Sequence, residues 1–346
     1  MLLNKQRDLG DYHPETLDAM KNLAWLHHAL GEFSSARDLQ VTVLEKYQIL
    51  GEGEHPSALQ VMESLGVTHR ALGQYKEAQE MTELALEKQR KVLGENHPKT
   101  ARTLSYLAIA YQYLGQLNKA QELAMSAVEK QSQLLGEDHP DTLWSMHTLA
   151  AIHDELGQFT EADYQYHIVV DKSISILGEN HQRTLGAMEG LGSTCLASGQ
   201  FKKAEGLLTV VFDKQKRVLG EEHPDTLRTM VNLASTYNYL GQLSVAEELA
   251  TVALEKYQKV LGEDHPETLW IMSGLASIFQ QQGRLERAEE LLIIALEKQR
   301  KKIGDDHHHT RWTMEKLANL YRRMGELQAA QELERLIRGQ AVKLTF

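Results

Sequence analysis

Apolar residues recur along this chain at the three- and four-residue spacing of amphipathic helices, in pairs of neighbouring segments. In one representative stretch, Leu143, Met146 and Leu149 form an apolar stripe that ends before Gly157. A second stripe occupies 159–176 and also ends at a Leu-Gly pair. Since glycine readily adopts the left-handed conformation that ends many helices, both glycines mark helix ends. The pattern therefore predicts a helix–turn–helix hairpin.

The hairpin pattern recurs eight times at an interval of 42 residues. A histidine marks the start of each copy, at His13, His55, His97, His139, His181, His223, His265 and His307. Neither helix can bury its stripe alone, so successive hairpins must stack. We expect an all-α fold, an α-solenoid of eight tandem units over 13–346. Residues 1–12 match the end of a second helix, and we interpret them as the remnant of a truncated repeat in a longer protein.

The columns of the repeat resemble the tetratricopeptide repeat (TPR). The first helix carries Leu-Ala and then an aromatic residue, the turn carries Leu-Gly, and the second helix carries an alanine in all eight copies. The 42-residue period and the LGxxHPxT connector resemble kinesin light chains. The copies are also similar to TPR arrays that follow NB-ARC or NACHT domains in fungal signalling ATPases. The resemblance implies a right-handed superhelix whose first helices line a concave, peptide-binding face.

On that face we predict binding residues in the first helices. They lie five, nine, twelve and sixteen positions after the repeated histidine. Tryptophan, tyrosine and arginine dominate binding hot spots, and arginine can hold a carboxylate by two hydrogen bonds. We therefore expect charge reversal of Arg102 and Arg228 to abolish partner capture while leaving the helical melting curve nearly unchanged. Alternatively, the tryptophans pack between adjacent first helices. The predicted residues are Asn22, Trp25, Arg102, Tyr106, Tyr113, Trp144, Arg228, Asn232, Tyr239, Trp270 and Trp312.

Part of this set repeats after three units. The residues at 102, 113 and 144 recur in kind 126 residues later, as Arg228, Tyr239 and Trp270. Duplication of a three-repeat block would explain this period, as would two equivalent subsites for a repetitive ligand. The fifth copy is unusual, because Gln182 replaces proline and Gly186 and Gly190 enter the first helix. Since glycine weakens a helix, we expect a soft region there.

Composition narrows the function. The net charge is −11, without a long Lys/Arg run, which argues against nucleic-acid binding. The single cysteine, Cys195, excludes an internal disulfide and favours a reducing compartment. No apolar run is long enough to predict a membrane span. We expect a cytoplasmic protein.

The sequence predicts no catalytic, cofactor-binding or metal-binding residues. The eight histidines form a column spaced by about 10 Å, the distance between packed helices, so they cannot share one ion. We interpret them as connector residues that bond to nearby backbone groups, and His307, His308, His309, His27 and His28 as surface residues. Sequence motifs of phosphate loops, nucleophile elbows and zinc proteases are absent.

Two functions remain after this exclusion. The first is a non-catalytic protein- or peptide-binding scaffold, either an adaptor of the kinesin-light-chain kind or the sensor region of a larger signalling ATPase. The second is a self-assembling structural array that stacks through exposed terminal repeats, with self-association at the uncapped N-terminal end.

Overall fold

A computed structural model describes residues 7–338. Within them residues 7–9 are helical and sixteen longer helices follow, with no strand. The predicted all-α solenoid is confirmed. The helices are α1 (Pro14–Ala29), α2 (Phe33–Ile49), α3 (Pro56–Ala71), α4 (Tyr75–Leu93), α5 (Pro98–Tyr113), α6 (Leu117–Leu135), α7 (Pro140–Glu155), α8 (Phe159–Leu177), α9 (Gln182–Ala197), α10 (Phe201–Val218), α11 (Pro224–Tyr239), α12 (Leu243–Leu261), α13 (Pro266–Gln281), α14 (Leu285–Ile303), α15 (His308–Met324) and α16 (Leu327–Ile337).

Consecutive helices pair into hairpins, so odd-numbered helices are first helices and even-numbered helices are second helices. The chain divides after Gly178 into two compact units. The first unit contains the hairpins from α1 to α8, and the second unit contains those from α9 to α16. Inside each unit a second helix packs both on its own first helix and on the first helix that follows. Stacking of this kind buries the apolar stripe of every helix, as the repeat pattern requires.

Each first helix begins immediately after the repeated histidine. The Nδ1 atom of this histidine accepts a hydrogen bond from the backbone N–H two residues later, for example His139 from Asp141 at 3.1 Å and His265 from Glu267 at 3.2 Å. All eight histidines cap a helix in this way. The interpretation of the histidines as connector residues that bond to the backbone is confirmed. The capping bond satisfies one of the unpaired N–H groups at a helix start.

The repeated alanine of the second helix is buried in every copy, at no more than 2% exposure for Ala36, Ala78, Ala120, Ala162, Ala204, Ala246, Ala288 and Ala330. A methyl side chain at this position lets the two helices of a hairpin approach closely. Cys195 is fully buried against Ala204 and Leu208, as expected of a small apolar side chain. No helix in residues 7–338 combines the length and apolar character that a membrane crossing needs.

A lysine near the end of each second helix, in the first seven hairpins, pairs with an acidic residue just before the same hairpin. Lys172 Nζ lies 2.8 Å from Asp138, and Lys214 Nζ lies 2.8 Å from Glu179. Equivalent pairs join Lys46 to Asp11, Lys88 to Glu54, Lys130 to Glu95, Lys256 to Glu221, and Lys298 to Asp264. Because the acidic partners are largely exposed, each pair contributes only about 0–1 kcal/mol. The pairs hold the two ends of a hairpin in register.

Candidate functional site

The first helices form a continuous surface within each unit. In the first unit α3 contacts α5 and α5 contacts α7, and in the second unit α9, α11, α13 and α15 follow one another in the same way. We call this surface the first-helix wall. All the predicted binding residues except Asn22 and Trp25, which lie on α1, are on these helices, so side chains on adjacent helices can meet.

Arg102, on α5, already has a carboxylate partner inside the protein. Its Nη2 and Nε atoms lie 2.8 and 3.1 Å from Oε1 of Glu63, on α3. Glu63 is buried, and its Oε2 atom accepts hydrogen bonds from Thr103 at 3.0 Å and from Gln89 at 3.3 Å. Burial lowers the pKa of Arg102, but Glu63, Tyr106 and Asp141 together outweigh it and leave that pKa raised. The guanidinium stays charged and satisfied.

Arg228, on α11, repeats this arrangement in the second unit. Its Nε and Nη2 atoms lie 3.1 and 3.0 Å from Oε2 of buried Glu189, on α9. The other oxygen of Glu189 accepts a hydrogen bond of 2.6 Å from Nδ2 of Asn232, which is itself buried. A second carboxylate, that of Asp225, lies 3.4 Å from Nη1 of Arg228.

These contacts give the two arginines a structural role that the sequence does not predict. The sequence predicts that Arg102 and Arg228 hold a ligand carboxylate, whereas the structure gives each of them a buried glutamate of the preceding repeat. Charge reversal would place a second carboxylate against a buried glutamate, so we expect it to destabilise the protein and to lower its melting temperature. The binding role of Asn232 is likewise not supported, because its amide is used inside the protein.

Sequence reasoning missed the two glutamates, although the chain carries a signal for them. Glutamate occurs eight residues after the histidine in the second, fifth and eighth copies, as Glu63, Glu189 and Glu315. Their spacing is the same 126 residues that relates Arg102 to Arg228. When an acidic residue recurs with the same period as a basic residue in the following repeat, the two residues indicate an ion pair between neighbouring repeats.

The predicted aromatic residues at the ends of two first helices stack on the starts of nearby second helices. Tyr113 lies against Tyr75 with ring centroids 5.0 Å apart, and the guanidinium of Arg70 lies 5.4 Å from the Tyr113 ring. Tyr239 stacks on Phe201 at 4.9 Å and keeps 55% of its surface exposed. Both pairs therefore occupy equivalent places in the two units.

Trp270 and Trp312 come together on adjacent first helices of the second unit. Their ring centroids are 6.3 Å apart, His309 stacks on Trp270 at 5.7 Å, and Lys316 Nζ lies 4.8 Å from the Trp312 centroid. Burial lowers the pKa of Lys316. We call these four residues the Trp270–Trp312 cluster. Trp270 also packs against the core of the second unit, which supports the packing role that the sequence left open for it.

The other predicted residues do not join this cluster. Trp144 stacks on His147 at 5.3 Å within α7. Asn22 and Trp25 lie on α1, where Trp25 is 70% exposed, and Tyr106 is half-buried on α5. The wall thus offers separate polar and aromatic positions in the first unit and one aromatic cluster in the second.

The three consecutive histidines at the start of α15 are not simply surface residues. His307 is buried at 5% exposure, and His308 and His309 are partly buried. Burial lowers the pKa of His308 to about 4, with a further contribution from the adjacent His307. The pKa of His309 is also well below its ordinary value, mainly because of burial. The surface interpretation is therefore wrong for His307.

Family comparisons agree with the repeat architecture. A tetratricopeptide repeat model matches residues 57–130, 111–167, 253–293 and 271–336. Another model with the same description matches residues 16–57, 184–225 and 226–267. No curated protein matches the chain.

Several solved structures share this architecture. A protein of Podosopora anserina with nearly identical TPR-like repeats of the kinesin-light-chain type is 33% identical, over 59% of this chain and 97% of its own, with a TM-score of 0.46. The Rap conjugation gene regulator of plasmid pLS20, in complex with the Phr* peptide, is 12% identical, over 98% and 93%, at 0.66. A Rap protein complexed with competence and sporulation factor is 14% identical, over 90% and 99%, at 0.54.

The two Rap structures show a common fold alone, given their low identity. The family models, in contrast, match the greater part of the chain, and their ranges cover the helical hairpins described above. The chain belongs to the tetratricopeptide repeat family, and its repeats are similar to those of kinesin light chains.

Proposed function

We propose that this chain is a non-catalytic scaffold that binds a protein or peptide segment along the first-helix wall. The observation that carries the proposal is the Trp270–Trp312 cluster, in which two large aromatic rings and a lysine occupy positions that the repeat does not use for its invariant packing. Tryptophan is among the residues that contribute most to protein interfaces, because its ring removes a large apolar area from water.

The internal ion pairs restrict the chemistry of the ligand. Arg102 and Arg228 are each neutralised by a buried glutamate, so they add little attraction for a ligand carboxylate. Recognition at the cluster then depends on apolar or aromatic side chains that pack against the indole rings. We therefore propose a peptide segment with apolar anchors, extended or helical, in place of an acidic peptide.

Proteins of the same fold support this role. The Rap regulator of plasmid pLS20 holds a peptide, and another Rap protein holds competence and sporulation factor. In this proposal the first-helix wall is the concave, ligand-binding face. The adaptor role of the kinesin-light-chain kind, the sensor role within a signalling ATPase, and a cytoplasmic location are extensions of the same proposal.

Selection from a random peptide phage library tests the proposed site. We expect the wild-type chain to enrich sequences with large apolar residues, and the Trp312→Ala variant to lose most of their binding. Trp312 is the better probe because Trp270 also packs against the core. Tyr164→Ala is the matched control, since Tyr164 is 68% exposed on α8, a second helix. Equal binding of the enriched peptides by wild type and Trp312→Ala would contradict the proposed site.

Self-assembly is the second candidate function, and one observation favours it. The first hairpin and the residues before it expose large apolar side chains, namely Leu9, Tyr12, Trp25, Leu26 and Leu30. Exposed apolar residues grouped on one terminal repeat are suited to stacking. Light scattering across a range of concentrations separates the two functions: a mass that rises with concentration supports stacking, and a constant monomer mass contradicts it.

A further inference from the structure

The connector before α15 departs from the repeat pattern in its chemistry. In six of the other seven copies proline follows the capping histidine, and in the fifth copy Gln182 takes that place. In the eighth copy two more histidines, His308 and His309, follow His307. Three imidazoles thus stand at the start of one helix, where the other repeats have one.

The three rings lie against one another. Their centroids are 4.4 Å apart for His307 and His308, 4.2 Å for His308 and His309, and 5.1 Å for His307 and His309. One ring nitrogen from each residue lies within 4.8 Å of the other two. In residues 7–338 this is the one group of histidine, cysteine or acidic side chains that meets such a distance.

Two ring nitrogens of this histidine group lack a hydrogen-bond partner. The Nδ1 atoms of His308 and His309 are both buried and make no hydrogen bond. Buried polar atoms are nearly always satisfied by protein, water or an ion, so these two nitrogens are available to bind an ion. An imidazole nitrogen without a proton offers a lone pair, which can bind a metal ion.

We propose that His307, His308 and His309 bind a divalent transition-metal ion, with zinc as the first candidate. Imidazole nitrogen is a preferred ligand of zinc, copper and nickel, and a site with three histidines and one open position is a common zinc arrangement. Ligand nitrogens of tetrahedral zinc are about 3.3 Å apart, so modest ring rotations would close the present separation. Water completes the fourth position.

The ion competes with two features of the fold. His307 Nδ1 accepts a hydrogen bond of 3.2 Å from the His309 N–H, and a metal bond to that nitrogen replaces this capping bond. The positive end of the α15 dipole also repels a cation. Binding must therefore come from the three coordinate bonds, so removal of two ligands should abolish it.

Metal content after equilibrium dialysis against Zn²⁺ provides the test. The wild-type chain should retain one zinc per molecule. The double variant His308→Pro/His309→Lys restores His-Pro-Lys-Thr, the sequence at 97–100 that starts α5, and should bind at least about 100-fold more weakly because both imidazoles are lost. The single variant His308→Pro, which loses one ligand, should lie between them and guards against misfolding of the double variant.

A control and a second signal locate the ion. His27→Gln/His167→Gln removes two histidines outside the cluster and should bind zinc as the wild type does. Because His309 stacks on Trp270, Cu²⁺ should quench the fluorescence of that tryptophan. Trp270→Phe should lose part of this quenching, with the remainder coming from the neighbouring Trp312, and should keep the metal. Absence of zinc from the wild type, or equal zinc in His308→Pro/His309→Lys, would overturn the proposal.

Discussion

Each unit contains a buried glutamate that pairs with an arginine of the following repeat. Glu63 of repeat two pairs with Arg102, and Glu189 of repeat five pairs with Arg228. The two glutamates differ in their other hydrogen bonds. Glu63 accepts further hydrogen bonds from a threonine and a glutamine, whereas Glu189 accepts one from Asn232. The side chain of Arg102 is 27% exposed, while that of Arg228 is 44% exposed and also lies near Asp225.

This comparison shows that the ion pair is the constrained part of the arrangement, whereas the neutral hydrogen-bond donors can vary. A buried carboxylate requires a compensating charge, because an unpaired ion in the interior is costly. Its remaining lone pairs can be satisfied by any suitably placed donor, so threonine, glutamine and asparagine can replace one another. The 126-residue period in Glu63–Arg102 and Glu189–Arg228 therefore has a structural cause. This favours duplication of a three-repeat block over two ligand subsites.

The largest expected effect comes from removal of the arginines. Arg102→Met and Arg228→Met each leave a buried glutamate without its charge partner, and each should destabilise the protein by about 3–5 kcal/mol. Arg228→Met should cost at least as much, since Glu189 keeps one neutral donor and Glu63 keeps two. Urea denaturation followed by far-UV circular dichroism measures both values.

A double variant checks the cause of that loss. Glu63→Gln combined with Arg102→Met removes both charges and keeps nearly the same shape, so it should recover most of the stability. If the double variant is as unstable as the two single losses added together, the ion pair is not the source of the effect.

A loss of stability of intermediate size is expected from alanine substitution at two equivalent glycines. Gly66 and Gly192 occupy the same place in α3 and α9. A Cβ atom at Gly192 would lie 2.7 Å from Leu208 Cδ2, and one at Gly66 would collide with the Thr82 hydroxyl. Gly192→Ala and Gly66→Ala should therefore each cost about 1–3 kcal/mol, because Leu208 has to move in the first variant, and Thr82 has to change rotamer and lose its hydrogen bond to Ala78 O in the second.

Gly186, in the same helix as Gly192, is the matched control. No atom lies within 4 Å of a Cβ built there, so Gly186→Ala should stabilise α9 by about 0.5–1 kcal/mol. Hydrogen exchange across 182–200 should be slower in this variant. Uniform protection of that segment in the wild type would contradict the soft region predicted in the fifth repeat.

Removal of the glutamates should have a smaller effect than removal of the arginines. Glu63→Ala leaves Arg102 partly buried and should cost about 2 kcal/mol, whereas Glu189→Ala should cost about 1 kcal/mol because Arg228 keeps Asp225 and more solvent. Glu315→Ala is the control: Glu315 holds the equivalent place in the repeat but is exposed, so the change should stay within about 0.5 kcal/mol. Equal losses at all three glutamates would contradict the account.

The repeat architecture could be predicted from the sequence because the same local signals occur in every copy. Glycine at the turn, histidine at the cap and alanine in the second helix each act within one hairpin. The partners of the wall residues could not be predicted in the same way. Arg102 lies 39 residues after Glu63, and only the stacking of hairpins brings the two side chains together.

The histidines also show that contacts within one repeat can be predicted from the sequence, whereas contacts between repeats cannot. The sequence correctly assigns His139 and its equivalents to backbone bonding, because the capping contact is local. It does not show that packing buries His307 and turns two further imidazole nitrogens away from water. Burial of a connector depends on the neighbouring repeat, which a pattern within one copy does not describe.

The central claim is that the wall binds a peptide through its aromatic cluster, while the arginines serve stability. The most direct measurement is the dissociation constant of one selected, fluorescently labelled peptide for Trp312→Ala and for Arg228→Met, at a temperature at which both variants are folded. We predict that Trp312→Ala weakens binding at least about 10-fold, the effect of a lost hot-spot side chain, and that Arg228→Met leaves binding unchanged. Loss of binding in Arg228→Met together with unchanged binding in Trp312→Ala would contradict the account.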